Sequence, residues 1–131
     1  MYPGTDIIEI ERMAAALQRR PELAERLFTP REREDLRSKG PRSYAARFAG
    51  KEAVLKALGT GLRGLSWHDV EIISSPGGEP AVNLSPRAKA LAEARGGSGV
   101  RVSLAHSQTQ AIAFAVLVCD QKNGGGKNAR S

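Results

Sequence analysis

With 131 residues the chain falls in the single-domain range, because two full domains would each struggle to bury enough apolar surface. Hydrophobic residues make up 40%, charged residues 26% and aromatic residues 5%, which excludes overall disorder and leaves aliphatic and alanine packing to build the core. A formal charge of +6 and a pI near 10.0 imply a surface attractive to polyanions, whether nucleic acid, anionic lipid, a phosphorylated cofactor or an acidic protein.

The segment Gly4-Thr5-Asp6-Ile7-Ile8-Glu9-Ile10 is short and isoleucine-rich, predicting an opening strand that presents Asp6 near its start. Helical patterning follows through Met13 to Arg20, and Pro21 fits the first turn of a second short helix ending at Phe28. Thr29-Pro30-Arg31-Glu32 has the chemistry of a capping box, in which the Thr29 hydroxyl and Glu32 carboxylate satisfy each other's free backbone N–H groups. Gly40 closes that helix. Residues 42–58 are filled with alanine and good helix formers, and Gly59 supplies the stop. Tyr44, Phe48, Leu55 and Leu58 gather on one face of this helix.

Beyond Gly59-Thr60-Gly61, residues 69–74 predict a strand, residues 75–80 a turn and residues 81–84 a hairpin partner. Ser85-Pro86 caps a short helix over residues 87–95. Val100, Val102, Leu104 and His106 mark one strand face, and Ile112, Phe114, Val116 and Val118 another, with residues 107–110 as the hairpin connection. The predicted order is strand, three helices, two strands, helix, two strands: an α+β fold with an antiparallel sheet packed against helices. One domain is expected over residues 1–120, and residues 121–131, with their glycine run, are expected to form a disordered tail.

The longest apolar run, Ala111 to Cys119, is well short of the roughly 20 residues that a membrane helix needs, predicting a soluble chain. The N-terminus has neither a basic start nor an apolar signal core, and the lone Cys119 excludes an internal disulfide. A reducing, cytoplasmic setting is the expectation.

Arg47 and Lys51, four residues apart on the long helix, share a face, where unpaired like charges cost a few tenths of a kcal/mol. Taken alone they are two solvated basic side chains, although an anion placed there would remove the cost. Lys51 also falls among Tyr44, Phe48 and Leu55, so its ammonium must snorkel outward or meet a partner in a cleft. Glu52 and Lys56 form an ordinary favourable pair, yet they lie on a stripe with Ala45 and Ala49 that would let another element or a ligand approach closely. Mg²⁺ prefers one or two carboxylates together with waters and phosphates, so Asp6 and Glu52 would suffice if the fold joins them. His106 ends an apolar alternation and His68 lies in a loop; neither has metal-ligand spacing to another histidine or to Cys119, so no zinc site is indicated. Gly59-Thr60-Gly61 could approach a phosphate through bare N–H groups, but as a helix stop it requires no function.

In order, the segments over residues 4–13, 23–32, 46–62, 69–72 and 102–107 resemble the holo-acyl-carrier-protein synthase family up to about Cys119. The specific part is Phe48 to Lys56, which matches a phenylalanine-x-x-Lys-Glu-Ala-x-x-Lys signature, joined to the early Gly4-Thr5-Asp6. The resemblance implies a phosphopantetheinyl transferase that moves 4′-phosphopantetheine from coenzyme A to a serine of apo acyl carrier protein, releasing 3′,5′-ADP in support of fatty acid biosynthesis. It implies that Asp6 and Glu52 bind Mg²⁺ and that Arg47, Lys51 and Lys56 contact cofactor phosphates, Lys56 also stabilising charge during transfer. His106 and Ser107 correspond to a position near the 3′-phosphate, and Gly59, Thr60 and Gly61 to one beside the nucleotide. Glu52 or a metal-bound water would take the serine proton. Arg12, Arg19, Arg20 and Arg26 lie where the family docks its acidic carrier, and homotrimers with active sites between subunits are expected by the same resemblance.

This chain departs from the family's usual pattern in its brief opening strand, where Pro3 cannot donate to a ladder, and in Ser107-Gln108-Thr109, where related chains often carry an acidic residue. Transfer to polyketide or peptide-synthetase carriers is the alternative within the class. A basic nucleic-acid-binding module is the distant one, and the scarcity of aromatic stacking platforms opposes it.

Overall fold

The structure, a computed structural model, describes residues 1–120; the tail expected over residues 121–131 lies outside them. The elements run β1 (Tyr2–Glu9), α1 (Ile10–Arg19), α2 (Leu23–Leu27), α3 (Pro30–Leu36), α4 (Pro41–Leu58), β2 (Val70–Ser74), β3 (Pro80–Leu84), α5 (Pro86–Ala94), β4 (Gly97–His106) and β5 (Gln110–Cys119). The class and the order of strands and helices agree with the sequence, with four helices, α1 to α4, between β1 and β2 where the predicted order counts three. Among the described residues, no helix is long and apolar enough to cross a membrane.

The antiparallel strands divide into two sheets, a three-stranded one ordered β1-β5-β4 and the hairpin β2-β3. β1 is an edge strand, which explains how Pro3 sits opposite Val116 within it: an edge tolerates a residue that cannot donate. On β5 the inward residues are Ala111, Ala113, Ala115 and Leu117, all fully buried. The larger Ile112 and Phe114 point away from α4 and stay 43% and 49% exposed, as does Ile7 on β1 at 56%.

This inversion follows from the close approach of α4. A Cβ at Gly4 would lie 2.1 Å from the Ala53 carbonyl oxygen and 2.8 Å from the Ala57 nitrogen, so only glycine allows β1 to rest on the helix backbone. The helix is accordingly buried on most of its circumference, through Ala45, Ala49, Ala53, Val54, Leu55, Ala57 and Leu58. Leu55 and Leu58 join the core beneath the two sheets, whereas Tyr44 and Phe48 pack with Phe28, Leu36 and Met13 in a second cluster under α1 to α3.

α3 is held by charge as well as by packing. The expected capping box forms, Glu32 N–H donating to Thr29 Oγ1 at 3.1 Å and Thr29 N–H to Glu32 Oε1 at 2.8 Å. The same Glu32 carboxylate accepts from Lys51 Nζ at 2.5 Å and from the Ile72 N–H at 2.7 Å. Asp35, one turn further, accepts from Arg47 Nη2 at 2.9 Å and from the Ser74 N–H at 3.0 Å, while Arg47 Nη1 donates to the Ile72 carbonyl at 2.6 Å. Two carboxylates of α3 therefore satisfy alternate N–H groups along the free edge of β2 and neutralise the two cations of α4. Lys51 and Glu32 are both 0% exposed, and the Phe28 ring lies 5.7 Å from the Lys51 ammonium. Burial pulls the Lys51 pKa down, and Glu32 offsets part of that effect.

A second buried carboxylate ties the 3₁₀ turn at Trp67–Asp69 to α5. Asp69 accepts from the Ser66 N–H at 2.7 Å, from Ser85 Oγ at 2.6 Å and from Arg87 Nη2 at 2.7 Å. Burial by itself would raise its pKa, but the Ser85, Ser66 and Arg87 hydrogen bonds outweigh burial and hold it at about 2, below the usual 3.8.

Two predictions follow from these carboxylates. Lys51→Met leaves Glu32 buried and uncompensated, and should lower unfolding stability by about 3–5 kcal/mol in urea denaturation, with Lys51→Met/Glu32→Gln recovering part of the loss. A small loss in the single variant would mean that the pair does not brace the fold. For Asp69 the folded pKa is depressed, so its contribution is complete above the unfolded value and disappears as pH falls toward the folded one. Wild-type stability should thus drop between about pH 5 and pH 2, and Asp69→Asn should remove about 2 kcal/mol of that drop; parallel pH profiles for the two proteins would refute the assignment.

Candidate active site

The seat of β1 on α4 brings Asp6 to the face of the helix that carries Lys56. In register with Ala113, Asp6 lies on the inward side of the sheet, two residues beyond Gly4. Lys56 Nζ donates to Asp6 Oδ1 at 3.0 Å and to the Thr5 carbonyl oxygen at 2.9 Å. Glu52 stands one helical turn before Lys56. Burial pushes the Glu52 carboxyl pKa up, the negative charge of Asp6 pushes it further, and Lys56 opposes both. Two carboxylates and one ammonium from distant parts of the chain are thereby brought within electrostatic reach of one another.

These residues fit a hard divalent cation. Asp6 Oδ2 is buried and has no hydrogen-bond partner, although a carboxylate oxygen removed from water normally finds one. Among the described residues no group of three or more His, Cys, Asp or Glu side chains is gathered. A set of two oxygen donors suits a cation that keeps waters and shares phosphate ligands.

Other residues singled out from the sequence are placed elsewhere. Arg47 and Lys51 are buried, with their charges directed at Asp35 and Glu32, so the protein itself supplies an anion to each. Gly59 takes φ of +85° as the left-handed cap of α4, with Gly61 at +56° in the following turn. His106 ends β4 exposed to solvent, opposite Ala111, and β5 separates it from β1. Ser107 shapes the β4–β5 turn, its Oγ accepting from the Gln110 N–H at 3.1 Å. Arg12, Arg19, Arg20 and Arg26 are exposed on or beside α1 and α2, and the ion pairs Arg12–Glu9 and Arg20–Glu22 are long, at 3.9 and 3.5 Å.

Two features went unnoticed in the sequence. Arg95 reaches from the end of α5 to stack over the Tyr2 ring at 3.7 Å and to donate to the Ala57 carbonyl at 3.0 Å, packing against Gly59. No local pattern signals a contact between such remote positions. A cavity of about 440 Å³ opens between β1, α1 and α2, lined by Ile7, Ile8, Met13, Leu27 and Phe48, with Arg12 also on its wall.

The family model described as the 4′-phosphopantetheinyl transferase superfamily matches residues 2–115. A holo-[acyl-carrier-protein] synthase of Desulforudis audaxviator is 49% identical over 118 residues, covering 88% of this chain and 90% of that protein. One from Salinispora arenicola is 46% identical over 120 residues, covering 90% and 96%. The solved structure of Helicobacter pylori holo-[acyl-carrier-protein] synthase in complex with coenzyme A superposes with a TM-score of 0.78 at 32% identity, covering 88% of this chain and 98% of that one. A Bacillus anthracis holo-(acyl-carrier-protein) synthase in complex with CoA (3′,5′-ADP) gives 0.74 at 32% identity, covering 91% and 96%. With its fold, its paired motifs and these relatives in agreement, the chain belongs to the holo-[acyl-carrier-protein] synthase family of phosphopantetheinyl transferases.

Proposed function

We propose that this protein is a single-domain, Mg²⁺-dependent cytoplasmic enzyme that transfers 4′-phosphopantetheine from coenzyme A to a serine of apo acyl carrier protein for fatty acid biosynthesis. The observation that carries this is the convergence of Asp6, Glu52 and Lys56, in a chain whose solved relatives include complexes with coenzyme A.

The carrier serine oxygen forms a bond to the β-phosphorus of coenzyme A as the bond from that phosphorus to the bridging oxygen breaks, and 3′,5′-ADP leaves. Mg²⁺ held by Asp6 and Glu52 would neutralise diphosphate charge. Glu52, the carboxylate whose pKa lies above its ordinary value, is suited to receive the serine proton. Lys56, half-exposed beside Asp6, can follow the charge that develops on the phosphoryl oxygens, and positioning of this kind supplies several kcal/mol of barrier reduction. Asp6 keeps one oxygen toward Lys56 and the other for the cation.

Arg12, Arg19, Arg20 and Arg26 give α1 and α2 a basic surface beside the apolar cavity, and an acidic carrier is the partner that such a surface steers. The exposed apolar face bearing Ile7, Ile112 and Phe114 supports an interface between subunits, since burying such a patch removes it from water, and the homotrimer is the assembly that the family resemblance implies. In that assembly His106, Ser107 and the Gly59-Thr60-Gly61 turn would meet the nucleotide across a subunit boundary, while Arg47 and Lys51 act by bracing α4.

Incubation with apo carrier, coenzyme A and Mg²⁺ should add phosphopantetheine to the carrier, read by mass spectrometry, with fatty-acid and polyketide carriers as parallel arms. Glu52→Gln should reduce turnover by about 100-fold or more with little change in melting temperature. Retained turnover in that variant would remove Glu52 from the chemistry.

A further inference from the structure

Lys56 does more at Asp6 than contact with a phosphate requires. Its ammonium is anchored on β1 at two points, 3.0 Å from Asp6 Oδ1 and 2.9 Å from the Thr5 carbonyl oxygen. The two partners differ in environment, since the Asp6 side chain is 13% exposed and that of Lys56 is 54% exposed. The carboxylate is thus the fixed member of the pair, and the ammonium approaches it from the solvent side at the end of a flexible stem. Asp6 Oδ2 remains buried and unpartnered, and Glu52 lies one turn away on the same helix.

On the basis of the transferase role above, we infer that Lys56 is a displaceable counter-ion: it lowers the affinity of the Asp6–Glu52 pair for a free divalent cation and transfers its charge to an arriving diphosphate. A positive charge this close to a second cation, at a half-solvated position, weakens binding of that cation by roughly three- to tenfold. A diphosphate carries more charge than the single Asp6 carboxylate, and it draws the ammonium away at little expense because Lys56 is already half-solvated. Asp6 Oδ1 is then released, and cation and coenzyme A tighten each other's binding by the same factor. A simple orienting role, in which Lys56 only holds the Asp6 carboxylate in place, has the opposite sign, because loss of Lys56 would then weaken cation binding.

The test is Mn²⁺ binding to the full chain, followed by electron paramagnetic resonance with and without coenzyme A. Without coenzyme A, Lys56→Met should bind Mn²⁺ about three- to tenfold more tightly than wild type, whereas Lys56→Arg, which keeps the charge, should stay near wild type. Addition of coenzyme A should tighten Mn²⁺ more in wild type than in Lys56→Met. Unchanged or weaker Mn²⁺ affinity in Lys56→Met, with a melting temperature matching wild type, overturns the counter-ion role. If Asp6→Asn binds Mn²⁺ as well as wild type in both conditions, the ion does not sit at Asp6, and the transferase site assignment fails together with the counter-ion role.

Discussion

The contact of Gly4 with the backbone of α4 is the constraint on which the remaining architecture depends. A strand normally lies about 10 Å from a helix packed on it, kept off by side chains on both sides. Here the missing Cβ at Gly4 lets β1 press against Ala53 and Ala57. That approach sets the height of the whole three-stranded sheet, so β5 can present only Ala111, Ala113, Ala115 and Leu117 inward. It also carries Asp6 to Lys56 and Glu52, so the packing device and the chemical device are separated by two residues on one strand.

A second consequence concerns the bulky half of the sheet. Ile7, Ile112 and Phe114 could not fit beneath so close a helix, and they are displaced to the opposite face, where they remain exposed. Hydrophobicity alone would have buried these residues and exposed the alanines. Sterics reverse that preference, because a small inward residue lets two backbones gain dispersion contact along their full length.

The charges on α4 serve two different ends according to the face on which they lie. Arg47 and Lys51 are turned toward α3, where Asp35 and Glu32 neutralise them and also cap the edge of β2. Taking such ions out of water is unfavourable unless every partner is present, and Glu32 meets that condition with three protein donors: the Thr29 and Ile72 N–H groups and the Lys51 ammonium. Glu52 and Lys56 are turned toward β1 and remain accessible. The rotation of α4 that the buried pairs define is therefore the rotation that turns Glu52 and Lys56 toward β1.

Local signals in the chain were sufficient for the capping box at Thr29–Glu32, the Gly59 stop, the Ser85 cap and the strand alternations, because each rests on backbone needs met within a few residues. They were sufficient also for the family, through Gly4-Thr5-Asp6 and the span from Phe48 to Lys56. Which cations of that span are buried in ion pairs and which stay accessible was not legible: Arg47, Lys51 and Lys56 are alike in sequence, and only the positions of α3 and β1 divide them. The reach of Arg95 to Tyr2 and Ala57, and the turning of alanines inward on β5, were likewise decided by tertiary structure. Composition and spacing record what a residue can do, whereas charge pairing and close packing depend on partners that are remote in sequence and adjacent only after folding.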